Sequence, residues 1–206
     1  MLQFTNQRVI AIAPHIDDVE LGAGATIYRL AQTNEVYYVG LSMPPLVDTT
    51  TFMSEFEASS RVLGLDKSRV ILRSFDPRDL FSARSEILQL FYDLNREIRP
   101  TLVFLPNSKD IHQSHEVAYA EGRRAFKFTT LLGYELPWNS MDFSMDVFIR
   151  LSREEVEAKT AAINAFSTQK NRLFFSNDIV ADLARVRGKQ VGHEFAECFE
   201  LVRMIA

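Results

Sequence analysis

Val9-Ile10-Ala11-Ile12 is a short run of apolar, mostly β-branched residues, and it predicts a buried strand close to the start of the chain. The pattern then shifts to a helical period over Leu21 to Gln32 and back to β-formers over Glu35 to Leu41. The same alternation continues: a helix from about Phe52 to Leu63 that Gly64 can cap, a strand at Arg69 to Leu72, and a long helix from Ser85 to Ile98 that Pro100 stops. A wholly apolar strand at Thr101 to Leu105 and a helix near Glu116 to Phe126 complete four β–α units. Such units imply a mostly parallel sheet covered by helices on both faces, an α/β, Rossmann-like three-layer fold. The last third reads as α+β: strands at Leu131 to Leu136 and Val147 to Arg150, then capping-box spacing in Ser152-Arg153-Glu154-Glu155 ahead of a helix to Phe166.

There is no internal repeat, low-complexity tract or long Gly/Ser/Pro linker, so residues 1–206 are expected to form a single domain. With 47% hydrophobic and 24% charged residues, the chain has material for one sizeable core. Its 23 basic and 27 acidic residues give a net charge of −4, which argues against a nucleic-acid partner. Cys198 is the sole cysteine, so no intrachain disulfide and no multi-cysteine metal site is expected. Neither a secretory leader nor a ~20-residue apolar span is evident in the pattern, and a soluble cytoplasmic protein is the expectation. Homo-oligomerisation is left open.

Candidate chemistry collects at two strand ends. His15, Asp17 and Asp18 follow the first strand, and Asp110-Ile111-His112-Gln113-Ser114-His115 follows the strand at Thr101 to Leu105. Ligands of open α/β sheets gather at the C-terminal ends of strands, so three of the four histidines are expected on one rim. Singly, each has a plain structural reading: a satisfied polar histidine, or an Asp pair serving as a helix N-cap. Together, three imidazoles and two carboxylates favour a divalent metal with nitrogen and oxygen ligands. Paired acids after a first strand also suit magnesium in a receiver-like signalling domain, but that reading gives His112 and His115 no purpose. Gly22-Ala23-Gly24 lacks the third glycine of a dinucleotide fingerprint and reads as close helix–strand packing. Trp138 and Asn139 are candidates for a sugar-binding rim, with a packing Trp as the plainer alternative. The loops Met43 to Thr50 and Pro137 to Met145 are expected to shape the mouth of the pocket.

The stretch Pro14-His15-Ile16-Asp17-Asp18-Val19-Glu20-Leu21-Gly22-Ala23-Gly24 resembles the His-Pro-Asp-Asp signature of the LmbE/PIG-L family of zinc-dependent N-acetylglucosaminyl deacetylases. Asp110 to His115 resembles the family's second motif, His-x-Asp-His. Weaker likenesses at Tyr134-Glu135, Ser167-Thr168-Gln169, Arg187-Gly188 and Ala196-Glu197-Cys198-Phe199 extend the resemblance along the chain. The resemblance implies one Zn2+ per chain, with Fe2+ as the alternative ion, held by His15, Asp18 and His115. It further implies a zinc-activated water with Asp17 as general base, and His112 as the group that stabilises the oxyanion or protonates the leaving amine. The implied substrate is an N-acetylglucosamine-type sugar or glycoconjugate; the alternatives are another small N-acylated substrate or a non-catalytic binding domain. His193, near the C-terminal pattern, is a candidate for reaching the pocket, with a surface loop position as the alternative. Two departures stand out. Ile16 replaces a proline, and Ser114 replaces an aspartate, so His112 should be less readily kept protonated.

Overall fold

The computed structural model describes residues 5–43, 48–173, 175 and 177–205. Among these residues seven strands form one sheet: β1 (Arg8–His15), β2 (Glu35–Ser42), β3 (Val70–Leu72), β4 (Leu102–Pro106), β5 (Thr130–Tyr134), β6 (Val147–Leu151) and β7 (Phe195–Arg203). Their order is β3-β2-β1-β4-β5-β7-β6. The first five are parallel, and β7 runs antiparallel to both β5 and β6. The α-helices of the described residues are six: α1 (Asp18–Ala31), α2 (Thr49–Val62), α3 (Arg84–Ile98), α4 (Gln113–Ala125), α5 (Arg153–Asn164) and α6 (Asn177–Gln190). This is the expected three-layer α/β fold with a mixed C-terminal portion.

Strand residues alternate faces, and that period of two divides the core. Val9, Ala11 and Ala13 of β1 join Tyr38, Phe104, Leu132 and Tyr134 beneath α1, α2, α5 and α6. Ile10 and Ile12 join Val39, Val103, Leu105 and Leu131 beneath α3 and α4. The uninterrupted apolar runs of β1 and β4 follow from burial on both faces.

The local signals read from sequence are realised. Ser152 accepts the Glu155 N–H at 3.3 Å while the Glu155 carboxylate accepts the Ser152 N–H at 2.7 Å, closing the capping box. Gly64 ends α2 at φ 71°, a left-handed setting that suits glycine. α6 and β7 were not expected from the pattern. β7 carries Glu197 and Glu200 among its apolar residues, which hides it from a search for strands, yet it lies inside the sheet. Glu197 is buried because Lys159 donates to it at 2.7 Å and the Ala25 and Thr26 N–H groups donate at 3.2 and 2.8 Å.

Gly22 does serve helix–strand packing, against Tyr134 of β5, whereas Gly24 lets α1 approach α5. A Cβ on Gly22 would lie 2.4 Å from Tyr134 Cδ2, and one on Gly24 would lie 3.0 Å from Lys159 Cγ. Tyr134 is pinned from the other end by its hydroxyl, which donates to the Ile12 carbonyl at 3.0 Å. Gly22→Ala is therefore expected to destabilise the fold by about 1–3 kcal/mol, the usual cost of overpacking, read as a lower urea midpoint with an unchanged m-value. Cys198 is 2% exposed, and burial pushes its thiol up from 9.0 to about 12. A raised pKa favours the neutral thiol throughout the neutral range, so alkylation at pH 8 should be slow in the native protein and fast in denaturant; equal rates would contradict the burial.

Candidate active site

β1 lies at the point where the chain order reverses: the connection from β1 leads to β2 on one side, and that from β3 leads to β4 on the other. The crevice at the C-terminal ends of β1 and β4 is thus the switch point at which open α/β sheets bind ligands. Here Ser42 Oγ donates to the Pro14 carbonyl at 2.7 Å and the Ile16 N–H donates to the Ser42 carbonyl at 3.0 Å, fastening the end of β1 to β2. Asp17 then takes φ 158° and ψ −18°, outside the common α and β regions, and α1 begins at the next residue. The second cluster is set by His112, whose Nδ1 accepts the Ser114 N–H at 3.3 Å as the N-cap of α4.

These two turns bring the sequence candidates together. The His15, His112 and His115 rings stand 4.7 to 5.2 Å apart between centroids, and the three can present nitrogens within 4.8 Å of one another. A tighter triangle includes Asp18. Asp18 Oδ2 is 3.1 Å from both His15 Nδ1 and His115 Nε2, and those two nitrogens are 3.2 Å apart. Three donors each 2.0–2.1 Å from a tetrahedral ion would be about 3.3 Å apart, so the triangle fits a small divalent cation with nitrogen and oxygen preference.

Asp110 supports this triangle. It was visible in the sequence only as the first residue of a motif, and its place in the site comes from the fold: Oδ2 is 2.7 Å from His115 Nδ1, and its other oxygen accepts the His112 N–H at 2.9 Å. A carboxylate behind a ligating histidine orients the ring and raises its basicity. Burial works to lower the His115 pKa, and Asp18 with the Asp110 bond overrides it, holding the imidazole at about 10. Asp18 answers in kind: burial opposes its ionisation, but His115 and His15 hold it below the ordinary carboxylate range.

Asp17 behaves differently. Burial, reinforced by the neighbouring Asp18 charge, raises its pKa well above the usual range, while Arg172 at 3.7 Å pulls it back. Among the described residues its Oδ2 is buried with no hydrogen-bond partner, an arrangement that costs stability. His112 is lowered from 6.5 to about 4 by burial and by the His115 and His15 imidazoles. It is therefore a neutral ring, and because Nδ1 accepts from the backbone, the proton resides on Nε2. The Ser114 hydroxyl turns away from that ring and donates to the Pro77 carbonyl at 3.0 Å.

A cavity of about 440 Å³ opens over the cluster, lined by His15, Asp17, Asp18, His112, Trp138 and Asn139 together with Pro77, Arg78, Gln113, His115 and Arg172. The expected rim residues Trp138 and Asn139 thus do face the cluster, and Asn139 Nδ2 approaches Asp110 at 3.5 Å. His193 does not line it; it sits in the turn ahead of β7, where its Nδ1 pairs with the Phe195 carbonyl at 3.1 Å. The loop expected to span Met43 to Thr50 falls partly outside the described residues, at 44–47. Arg78 and Arg172 were not singled out from sequence, since isolated arginines in loops carry no local signal. Among the described residues no helix is long and apolar enough to cross a membrane.

An α/β fold with a buried histidine–carboxylate triangle at its switch point defines the class. Residues 10–126 match the family described as PIG-L: GlcNAc-PI de-N-acetylase, and the chain belongs to that family. Family membership sets aside the receiver-like reading. The chain is 28% identical over 176 residues to a protein of Escherichia coli (strain K12) described as uncharacterized deacetylase YaiS, covering 79% of this chain and 93% of that one. Its fold is also that of GalB, the 4-carboxy-2-hydroxymuconate hydratase of Pseudomonas putida KT2440, with a TM-score of 0.80 and 17% identity over 97% of this chain and 98% of the other. The N,N'-diacetylchitobiose deacetylase of Pyrococcus horikoshii gives a TM-score of 0.74 and 18% identity over 95% of this chain and 84% of that one. One fold thus carries hydrolases and a hydratase, and the reaction has to be argued from the site.

If Asp110 orients His115, Asp110→Asn should weaken zinc or iron(II) binding by about 10- to 100-fold with the fold intact, measured by competition with a chelator; unaltered affinity would contradict the role.

Proposed function

We propose that this protein is a metal-dependent N-deacetylase that hydrolyses the acetamido group of an N-acetylated sugar or glycoconjugate. The observation that carries the reading is the His15–Asp18–His115 triangle standing beside Asp17, a buried carboxylate with an oxygen that accepts no hydrogen bond among the described residues. His15, Asp18 and His115 would hold the ion, and the mixed nitrogen and oxygen donors suit zinc, with iron(II) as the alternative. When bound, the ion supplies Lewis-acid polarisation of a carbonyl and a water acidic enough to ionise near neutral pH.

The remaining chemistry belongs to the chain. Asp17 accepts the proton of the attacking water as the new C–O bond forms at the amide carbon, and its raised pKa lets it keep that proton until the C–N bond breaks. It then delivers the proton to the departing nitrogen, so that one amide and one water become acetate and an amine. His112, neutral and protonated at Nε2, donates a hydrogen bond to the oxygen that gains negative charge. This differs from an acid role for a charged imidazole and is consistent with Ser114 standing where an aspartate would favour the charged ring. Trp138 offers an apolar face and Asn139 an amide to a polyhydroxylated ring at the cavity wall.

Acetate release from N-acetylglucosamine and its conjugates by protein of measured metal content tests the assignment. Asp17→Asn should retain metal and lose about 10²- to 10⁴-fold in kcat, the span attributed to a positioned base. Near-normal turnover in that variant would remove Asp17 from the mechanism, and protein free of bound metal yet fully active would remove the ion.

A further inference from the structure

Ser114 is the second residue of α4, between His112 and His115, and it is fully buried, so it meets no substrate itself. Its hydroxyl donates to the Pro77 carbonyl at 3.0 Å and accepts from Gln113 Nε2 at 2.8 Å. The same Nε2 donates to the Pro77 carbonyl at 3.1 Å, which closes a triangle of three polar groups. The network sets the Gln113 amide, because the flipped amide would put Oε1 against the Pro77 carbonyl, acceptor to acceptor. An ionised aspartate at this position, as in the family motif, has no proton to donate and would repel the same carbonyl.

Pro77 belongs to a turn over residues 76–79, in the loop between β3 and α3. Proline presets φ at the second position, the Asp79 N–H donates to the Asp76 carbonyl at 3.0 Å, and Asp76 Oδ1 accepts the Arg78 N–H at 2.9 Å. The turn is therefore stiff within itself, and its Pro77 carbonyl is where α4 grips it. Pro77 and Gln113 both line the cavity beside His112. Moving the turn or rotating the Gln113 amide would change the wall a substrate touches without requiring any shift of His15, Asp18 or His115. Resting on the deacetylase reading above, we propose that Ser114 is a positioning residue for substrate binding: its hydroxyl holds the Pro77 turn and the Gln113 amide as a fixed wall of the cavity, and acts on that wall instead of on His112.

Ser114→Ala removes the hydroxyl and keeps a good helix former in α4. Assayed as metal-loaded protein for acetate release from N-acetylglucosamine and its conjugates, it should lose about 3- to 10-fold in kcat/KM, the usual effect of one neutral hydrogen bond, mainly through a higher KM. Ser114→Thr, which retains the hydroxyl, should recover most of that loss. Amide hydrogen exchange gives a readout that needs no substrate: residues 74–83 should exchange about threefold or more faster in Ser114→Ala and near the wild-type rate in Ser114→Thr, with β1 and β4 unaltered in both. A fall in kcat at constant KM would place the hydroxyl on His112 and overturn the proposal; so would wild-type kinetics in Ser114→Ala, or unaltered exchange over 74–83. Wild-type protein that releases acetate from none of these sugars counts against the deacetylase reading instead, and the exchange measurement then decides by itself whether Ser114 holds the turn.

Discussion

The Asp18 carboxylate is the hinge of the site. Its Oδ2 accepts the His15 N–H at 2.7 Å and lies 3.1 Å from an imidazole nitrogen of both His15 and His115, although the residue is only 6% exposed. A buried carboxylate is tolerated only when hydrogen bonds and opposite charge replace the water it has lost. Those partners arrive from both ends of the switch point. His15 is the last residue of β1 and His115 sits in the first turn of α4, so the sheet register that pairs β1 with β4 also sets the distance between them.

From that constraint follow the shells around it. Asp110 backs His115, Asn139 reaches toward Asp110, and the Ile111 N–H donates to the Asn139 carbonyl at 3.1 Å, so the loop after β4 and the loop after β5 are braced against each other over the cavity. Asn107 tightens the same junction by donating to the Tyr134 carbonyl at 3.0 Å and to Ser140 Oγ at 2.9 Å. Asp17, by contrast, keeps an oxygen that accepts no hydrogen bond among the described residues, with the Arg172 guanidinium 3.7 Å away. The fold spends stability there, and functional carboxylates with raised pKa values are found in such settings.

Polar pairs fasten the C-terminal third to the rest of the fold. Glu135 accepts two bonds from Arg187 at the exit of β5, Ser167 and Thr168 clasp Glu55, and Glu197 pairs with Lys159. Each is a buried or half-buried polar pair joining elements distant in sequence, and two of them secure segments that lead to the cavity: Glu135 begins the turn bearing Trp138, and Ser167 precedes Arg172. Such pairs add little net stability over apolar contacts, but removing one partner leaves a buried charge exposed to no solvent, which makes the arrangement all-or-none.

The chain by itself determined the strands β1 to β6, the helices α1 to α5 and the meeting of His15, Asp18, His112 and His115 on one rim. Apolar runs buried on both faces, helical periodicity and the chemistry of strand ends are all local properties. It also determined the packing role of Gly22-Ala23-Gly24, because a missing glycine and adjacent acids weigh against a phosphate loop. Only the tertiary structure decided that β7 enters the sheet between β5 and β6, since Glu197 breaks the apolar pattern and its partner Lys159 is remote in sequence. Only it placed Asp110 behind His115, brought Arg78 and Arg172 to the cavity wall and turned His193 away from it. The entry of β7 and the arrival of both arginines depend on contacts between residues dozens of positions apart, and no local period encodes the distance between two loops.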